Sequence, residues 1–118
     1  MEILGSGEGR QAWRSAPLCI GGPPYWHAAA RINMTVDEGI ADAVLVLQGP
    51  YGDPRRLAVI EAGLVSGEIG DADEVLDAVR DLVECVDDSD GSAAAKSYLA
   101  GWICADVVGR CINNPGAR

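Results

Sequence analysis

The side chains with the greatest chemical potential are carboxylates, and they are concentrated in one segment. From Glu68 to Asp90 the chain has ten Asp and Glu residues and one cation, Arg80. From Asp73 onward the acids recur at helical spacing, so a helix would carry an acidic ridge along one side, made of Glu74, Asp77, Asp81, Glu84 and Asp88. The opposite side would carry apolar residues, namely Val75, Leu76, Val79, Leu82, Val83 and Val86.

The acidic ridge favours binding over catalysis. Carboxylates on an exposed helix face stay solvated and ionised, whereas general acid catalysis requires a carboxyl group that holds its proton. Acids spaced about 5–6 Å apart resemble a row of nucleic-acid phosphates, so a groove lined with Arg and Lys could accept the ridge. The predicted partner-binding residues are Asp73, Glu74, Asp77, Asp81, Glu84, Asp87 and Asp88. The alternative is a solvated face without a partner, which is the usual meaning of a charge run.

The other reactive side chains form no recognisable catalytic or metal-binding set. His27 is the only histidine, and the four cysteines contain no Cys-x-x-Cys pair. Cys104 and Cys111 are seven residues apart, which on one helix separates their Cα atoms by about 10 Å and prevents a disulfide between them. The acidic loop at Asp87–Gly91 is out of register for a calcium-binding EF-hand. The sequence therefore predicts no catalytic residue, no metal and no cofactor.

Length and charge set further limits. A chain of 118 residues is the size of one domain, and its net charge is −9. Residues 34–92 carry −12 of that charge, because fifteen acids there face three arginines. This balance opposes direct binding to nucleic acid or to an anionic membrane and favours a basic protein surface as partner. No secretory signal is evident at the start, so the expected location is cytoplasmic.

Helical patterns would position these acids. Thr35 and Glu38 form a capping box that predicts a helix over Val36–Gln48, although the apolar run Ala43–Leu47 leaves a buried strand as the alternative. Asp53 and Pro54 predict the start of a helix over Pro54–Ala62 that extends to Leu64 or Val65.

Two further helices follow. Asp71 and Glu74 form a second capping pair, which predicts that the ridge-bearing helix runs to about Val86. Ser92 would then cap a last helix over Ala93–Cys111, whose surface is apolar or small nearly all round. An apolar last helix is either central or an interface, and the interface residues would be Tyr98, Trp102 and Ile103.

The predicted fold is one mainly α domain of four or five packed helices. Residues 1–24 are rich in Gly, Ser and Pro and predict an irregular arm with a candidate strand around Leu18–Ile20. Residues 25–118 would form the helical domain, in which Tyr25–Ile32 is either a short helix or extended.

The predicted function is that of a small, acidic, non-enzymatic inhibitor. Its acidic helix would dock as a phosphate or DNA mimic on a basic nucleic-acid-binding protein, as inhibitors encoded by mobile elements do. The alternative is a structural assembly module that self-associates through the apolar last helix. Homo-oligomer formation stays open, and no motif identifies a family.

Overall fold

The computed structural model describes residues 9–18, 21–37, 39–50 and 52–113. These residues form four strands followed by three helices. The strands are β1 (Gly9–Pro17), β2 (Pro24–Met34), β3 (Ile40–Gln48) and β4 (Arg55–Arg56). The helices are α1 (Ala58–Ser66), α2 (Ala72–Leu82) and α3 (Ala93–Asn113). The strands build one antiparallel sheet in the order β1-β2-β3-β4.

The prediction of a mainly helical domain is wrong, because β3 replaces the helix predicted over Val36–Gln48. The alternative of a strand over Ala43–Leu47 is the correct one. Along β3, Ala43, Leu45 and Leu47 are buried while the residues between them are only partly buried, which is the period of two that a strand requires. Branched side chains at Val44 and Val46 fit this pleated surface better than a helix.

The segment Tyr25–Ile32, which the sequence left between helix and extended chain, is extended within β2. Its buried side chains alternate with exposed ones and are Trp26, Ala28, Ala30 and Ile32. Alanine favours helices when it is considered alone. Here the small side chains instead let α3 approach the sheet closely, since α3 packs across β1 and β2.

Thr35 closes the turn between β2 and β3 instead of capping a helix. The amide of Gly39 donates to Thr35 Oγ1 at 2.9 Å, and the amide of Thr35 donates to the Gly39 carbonyl at 2.7 Å. Glu38, the other member of the predicted capping box, lies outside the described residues. A Thr near a chain reversal satisfies backbone groups in either structure, so this local signal is ambiguous.

The helices lie in two layers on one side of the sheet, which we call the inner face. Helix α3 packs on β1 and β2, α1 packs on β3, and α2 contacts α3 and α1 but no strand of the described chain. Buried side chains from all three layers form one core. Among the fully buried ones are Ile32, Leu45, Ile60, Val75, Val79, Ile103 and Val107.

The helix boundaries test the predicted caps. Asp71 accepts the Glu74 amide at 2.9 Å and Ser92 Oγ accepts the Ala95 amide at 3.0 Å, so both predicted caps are confirmed. The helix predicted from Pro54 to Leu64 or Val65 ends near the predicted residue, at Ser66, but it starts four residues later than predicted. It begins at Ala58, because Arg55 and Arg56 pair with β3.

Part of the predicted arm is regular. Residues 9–17 are β1, which pairs with β2 along its length, while residues 19 and 20 of the candidate strand lie outside the described chain. The division of the chain at residue 24 stays a prediction. Among the described residues, no helix combines the length and the apolar character needed to cross a bilayer.

Candidate functional site

The predicted acidic ridge is interrupted. Helix α2 displays exposed acids at positions 73, 74, 77 and 81, and it then ends at Leu82. Val83 is extended, with φ −85° and ψ 123°, and it buries its side chain in the core. The helix predicted as far as Val86 is therefore too long, and the acids after Asp81 leave the line of the ridge.

Several of these acids have partners within their own chain. Glu74 Oε1 accepts the amide of Gly70 at 2.6 Å, which completes the predicted capping pair. Asp87 Oδ1 accepts the amide of Ala93 at 2.6 Å, and Asp88 forms an ion pair with Lys96. Glu84 is exposed on the connection that follows α2. These acidic residues thus stabilise the starts of α2 and α3 and the connection between the two helices.

The alternative interface does not form a single exposed surface. Ile103 is completely buried in the core, whereas Trp102 and Tyr98 are partly exposed on α3. Each aromatic ring is covered by an arginine of the same chain: the Arg14 Cζ atom lies 4.5 Å from the Trp102 ring centroid, and the Arg80 Cζ atom lies 5.7 Å from that of Tyr98. These contacts tie β1 and α2 to α3.

A buried lysine marks a site that the sequence prediction missed. The Lys96 side chain is 2% exposed, and its ammonium group donates to the Val86 carbonyl at 2.9 Å and lies 2.5 Å from Asp88 Oδ1. A buried charge needs such partners because water no longer solvates it. The bond from Lys96 to the Val86 carbonyl ties the connection between α2 and α3 to the start of α3. The signal was present in the sequence as one lysine within a largely apolar helix.

Lys96 borders a pocket of about 700 Å³ between the ends of β2 and β3 and the connection from α2 to α3. Tyr25 and Trp26 form one wall, and the Trp26 indole donates to the Lys96 carbonyl at 3.0 Å. The ionisable groups that line it are Asp53, Arg55, Glu84, Cys85, Asp88 and Lys96. Both charge signs are therefore represented, and acids outnumber cations.

The electrostatics of this pocket favour a structural role. The hydrogen bond to Asp88 raises the pKa of Lys96 despite burial, and the same bond lowers the pKa of Asp88. Burial raises the pKa of the Cys85 thiol, against the opposing charges of Lys96 and Arg55. At neutral pH the pocket thus holds a charged pair and a protonated thiol, which is a weak nucleophile.

The other described thiols are buried and free. Burial raises the pKa of Cys104 to about 12 and that of Cys111 to about 11. The expectation that these two do not pair with each other is confirmed. Cys19 lies outside the described residues. Within the described ranges, no group of three or more His, Cys, Asp or Glu side chains is arranged to hold a metal ion.

The other side of the sheet, which we call the outer face, is a second candidate site. Trp13 on β1 is 74% exposed. Beside it lies a shallow depression of about 690 Å³, whose floor includes Ala29, Val44 and Val46. Trp13, Ala29 and Val46 are cross-strand neighbours, so they form one apolar row.

A serine and a histidine also meet on the outer face. Ser15 and His27 are opposite each other on β1 and β2, and Ser15 Oγ lies 2.7 Å from His27 Nδ1. Strand pairing brings them together from twelve residues apart, which sequence spacing does not reveal. No carboxylate hydrogen bond to this imidazole is found among the described residues, so the pair lacks the orienting acid of a hydrolytic triad.

The comparison with solved structures found matches to this chain, whereas the comparisons with protein families and curated proteins found none. Reconstituted CO dehydrogenase from Oligotropha carboxidovorans matches with a TM-score of 0.73 and 19% identity, over 92% of this chain and 38% of that chain. A cyanide-inactivated Cu,Mo-CO dehydrogenase matches with a TM-score of 0.71 and 18% identity, over 88% and 37%.

A third match is the CO dehydrogenase from Hydrogenophaga pseudoflava that lacks the Mo-pyranopterin moiety of its molybdenum cofactor. Its TM-score is 0.69 at 18% identity, and the match covers 88% of this chain and 37% of that chain. This chain thus spans less than two-fifths of the CO dehydrogenase chains it matches. At this level of identity the likeness shows a shared fold.

These matches overturn the predicted function. The fold is one that occurs within chains of an oxidoreductase, and neither a DNA-mimic inhibitor nor a self-associating helical module is supported. The prediction of a non-enzymatic protein related to mobile elements is wrong for the same reason. Two acids of the predicted partner surface, Glu74 on α2 and Asp87 after it, instead accept hydrogen bonds from backbone amides of the same chain.

Proposed function

We propose that this chain serves as a domain or subunit of a larger oxidoreductase related in fold to molybdenum-containing CO dehydrogenase. One observation carries the proposal: nearly the whole described fold is found within CO dehydrogenase chains more than twice its length. A domain that forms one part of a longer chain contacts the other parts of that protein. The proposed role of this chain is to bind the remaining parts of such an enzyme.

The chemistry of the described side chains is consistent with a binding role. Cys104 and Cys111 are buried thiols with raised pKa values, and Lys96 is held by Asp88. Among the residues that the structure describes, no carboxylate is hydrogen-bonded to the imidazole of the Ser15–His27 pair. In this proposal the reacting centre is supplied by the rest of the enzyme, while this chain contributes a stable surface.

The proposal is tested on the intact complex from the native host. The chain would be purified through an affinity tag under mild conditions, and the mass of the complex would be measured by light scattering. We expect a complex much larger than the 12.3 kDa chain, containing molybdenum and reducing an artificial electron acceptor in the presence of CO. The untagged host, processed in parallel, is the control for carry-over of the enzyme.

Two outcomes would contradict the proposal. One is recovery of the chain alone at its own mass from a host that expresses active CO dehydrogenase. The other is co-purification with proteins that contain neither molybdenum nor acceptor-reducing activity, which would show that the shared fold serves another assembly.

A further inference from the structure

We infer that the outer face of the sheet is the surface on which this domain docks, and that its partner is an apolar protein surface bordered by carboxylates. This inference rests on the proposed function and names the chemistry of the partner. It is drawn from the outward side chains of β1, β2 and β3.

The first support is an apolar row that would lose contact with water on docking. The Trp13 indole is 74% exposed at the edge of the sheet, next to the exposed Ala29 and the half-buried Val46. An indole offers a large apolar area with a polar N–H, and such side chains are enriched at the centres of protein interfaces. The adjacent depression would accept a protruding side chain of the partner.

The second support is charge. The molecule carries −9, yet the described residues that line the depression in the outer face include Arg31 and Arg110 and no acid. Arg110 is paired with Asp106 at 3.1 Å, so Arg31 is the cation that a partner would meet.

Asp42 lies on the same face, two residues along β3 from Val44, the cross-strand partner of Arg31. It accepts a hydrogen bond from Asn33 at 3.5 Å. Arg31 stands on the central strand β2 and makes no ion pair within the described residues. A partner that meets this cation needs a carboxylate nearby, since an uncompensated charge at an interface opposes binding.

The same charge argues against a second copy of this chain as the occupant. Stacking two outer faces about a twofold axis at the depression would bring two Arg31 side chains close together, because Arg31 lines it. Like charges placed opposite each other suppress association. A direct nucleic-acid ligand is also disfavoured, because two arginines on a strongly acidic protein supply few phosphate contacts.

The edge of the sheet is already occupied in part, so the partner meets the face rather than adding a strand. Arg110 donates to the Trp13 carbonyl at 3.1 Å, and the Cys111 thiol lies 3.3 Å from the Arg10 carbonyl. Carbonyls three residues apart on a strand point to opposite sides, and the Cys111 thiol also lies 3.7 Å from the Ala30 carbonyl of β2. Of these two contacts, only the one from Arg110 to Trp13 therefore lies at the outer edge of β1. Side-chain contacts across the face therefore carry the proposed docking.

The experiment compares matched substitutions in the tagged native complex. Trp13→Ser and Arg31→Glu change the outer face, while Val59→Ser and Arg55→Glu change an exposed valine on α1 and an exposed arginine elsewhere. We expect each outer-face variant to weaken association about tenfold or more, as loss of an interface anchor does. The two controls should bind as the wild type does. Circular dichroism would confirm that all four variants fold.

A photocrosslinking arm separates failure of this inference from failure of the proposed function. With Trp13→p-benzoylphenylalanine, we expect crosslinks to a partner peptide that contains apolar residues and Asp or Glu, and we expect Arg31→Glu to remove them. The same probe at Val59 is the control. Crosslinks of this kind to a protein other than an oxidoreductase would keep the docking surface and overturn the proposed function.

Three results would overturn the docking surface itself. The first is wild-type affinity for the partner in both outer-face variants, Trp13→Ser and Arg31→Glu. The second is crosslinking at position 59 but not at position 13. The third is a crosslink from position 13 to the outer face of a second copy, together with a dimer mass in solution, which would make the face a self-association surface.

Discussion

The two faces of the sheet are built from the same three strands but have opposite surroundings. On β3, Leu45 points inward and is completely buried, whereas its neighbour Val46 points outward and stays partly exposed beside Trp13. Burial on the inner face removes apolar surface from water within the domain itself. The outer face contributes little to the stability of the isolated chain, so its apolar residues are available to a partner.

The largest expected effect tests this difference directly on adjacent residues. Leu45→Ala leaves a cavity between the sheet and the helices and should lower the free energy of unfolding by about 2–5 kcal/mol. Val46→Ala should lower it by less than about 1 kcal/mol, because the valine is already partly in water. Urea denaturation of both variants measures the contrast. If both variants lost the same free energy of unfolding, the outer face would be packed in the isolated chain. The two faces of the sheet would then not differ in the way described.

The next effect concerns the helix layers that cover the inner face. At Gly101 on α3, an added Cβ would lie 2.7 Å from the Leu76 carbonyl oxygen of α2, while at Gly109 the nearest side-chain atom would be 4.0 Å away. Gly101→Ala should therefore cost about 1–3 kcal/mol through overpacking, although alanine is the better helix former.

The matched control is Gly109→Ala on the same helix. It should be neutral or stabilise the protein by up to about 1 kcal/mol, because helix propensity then acts without a clash. Thermal unfolding of the two variants would reveal the difference. A stabilised Gly101→Ala protein would mean that α2 and α3 are not in close contact at this point.

The smallest of the three effects concerns Glu61, which protects the edge of the sheet beside β4. Its carboxylate accepts the Leu45 amide at 2.9 Å and Arg56 N–H groups at 2.8 and 3.0 Å. Burial alone would raise the pKa of Glu61, but the hydrogen bonds from Arg56 and Leu45 and the Arg56 charge lower it below its ordinary value of 4.5. Glu61→Gln should cost about 1–2 kcal/mol at neutral pH.

Because the pKa of Glu61 is lowered by folding, its stabilising effect is complete above pH 4.5 and disappears as the pH falls through the folded-state pKa. The difference in unfolding free energy between wild type and Glu61→Gln should therefore shrink in acid. Urea titrations between neutral pH and the acid range would measure this. A difference that stays constant across that range would mean that the carboxylate is not held as the structure shows.

Local signals in the sequence predicted the structure correctly where it depends on residues that are neighbours in the chain. The caps at Asp71 and Ser92 involve hydrogen bonds to amides only three residues away, and both were predicted correctly. Helix α3 also begins at the predicted residue and ends within two residues of the prediction. These elements have few competing partners along the chain.

Prediction failed where the partner is distant in sequence. The alanines of β2 suit a helix or a strand, and the register of β2 between β1 and β3 selects the strand. Val86 continued an apolar helical pattern, but its carbonyl is taken by Lys96, ten residues later. Ser15 and His27 meet only because a hairpin places them opposite each other.

The sequence by itself determined the concentration of negative charge in residues 34–92 and the starts of α2 and α3. Only the tertiary structure decided that Ala43–Leu47 is a strand, that Lys96 is buried in an ion pair, and that Trp13 faces water on an uncovered sheet. The reason is that caps and charge depend on the composition of short segments. Strand pairing, burial and exposure depend on which distant residues share a ladder or a core.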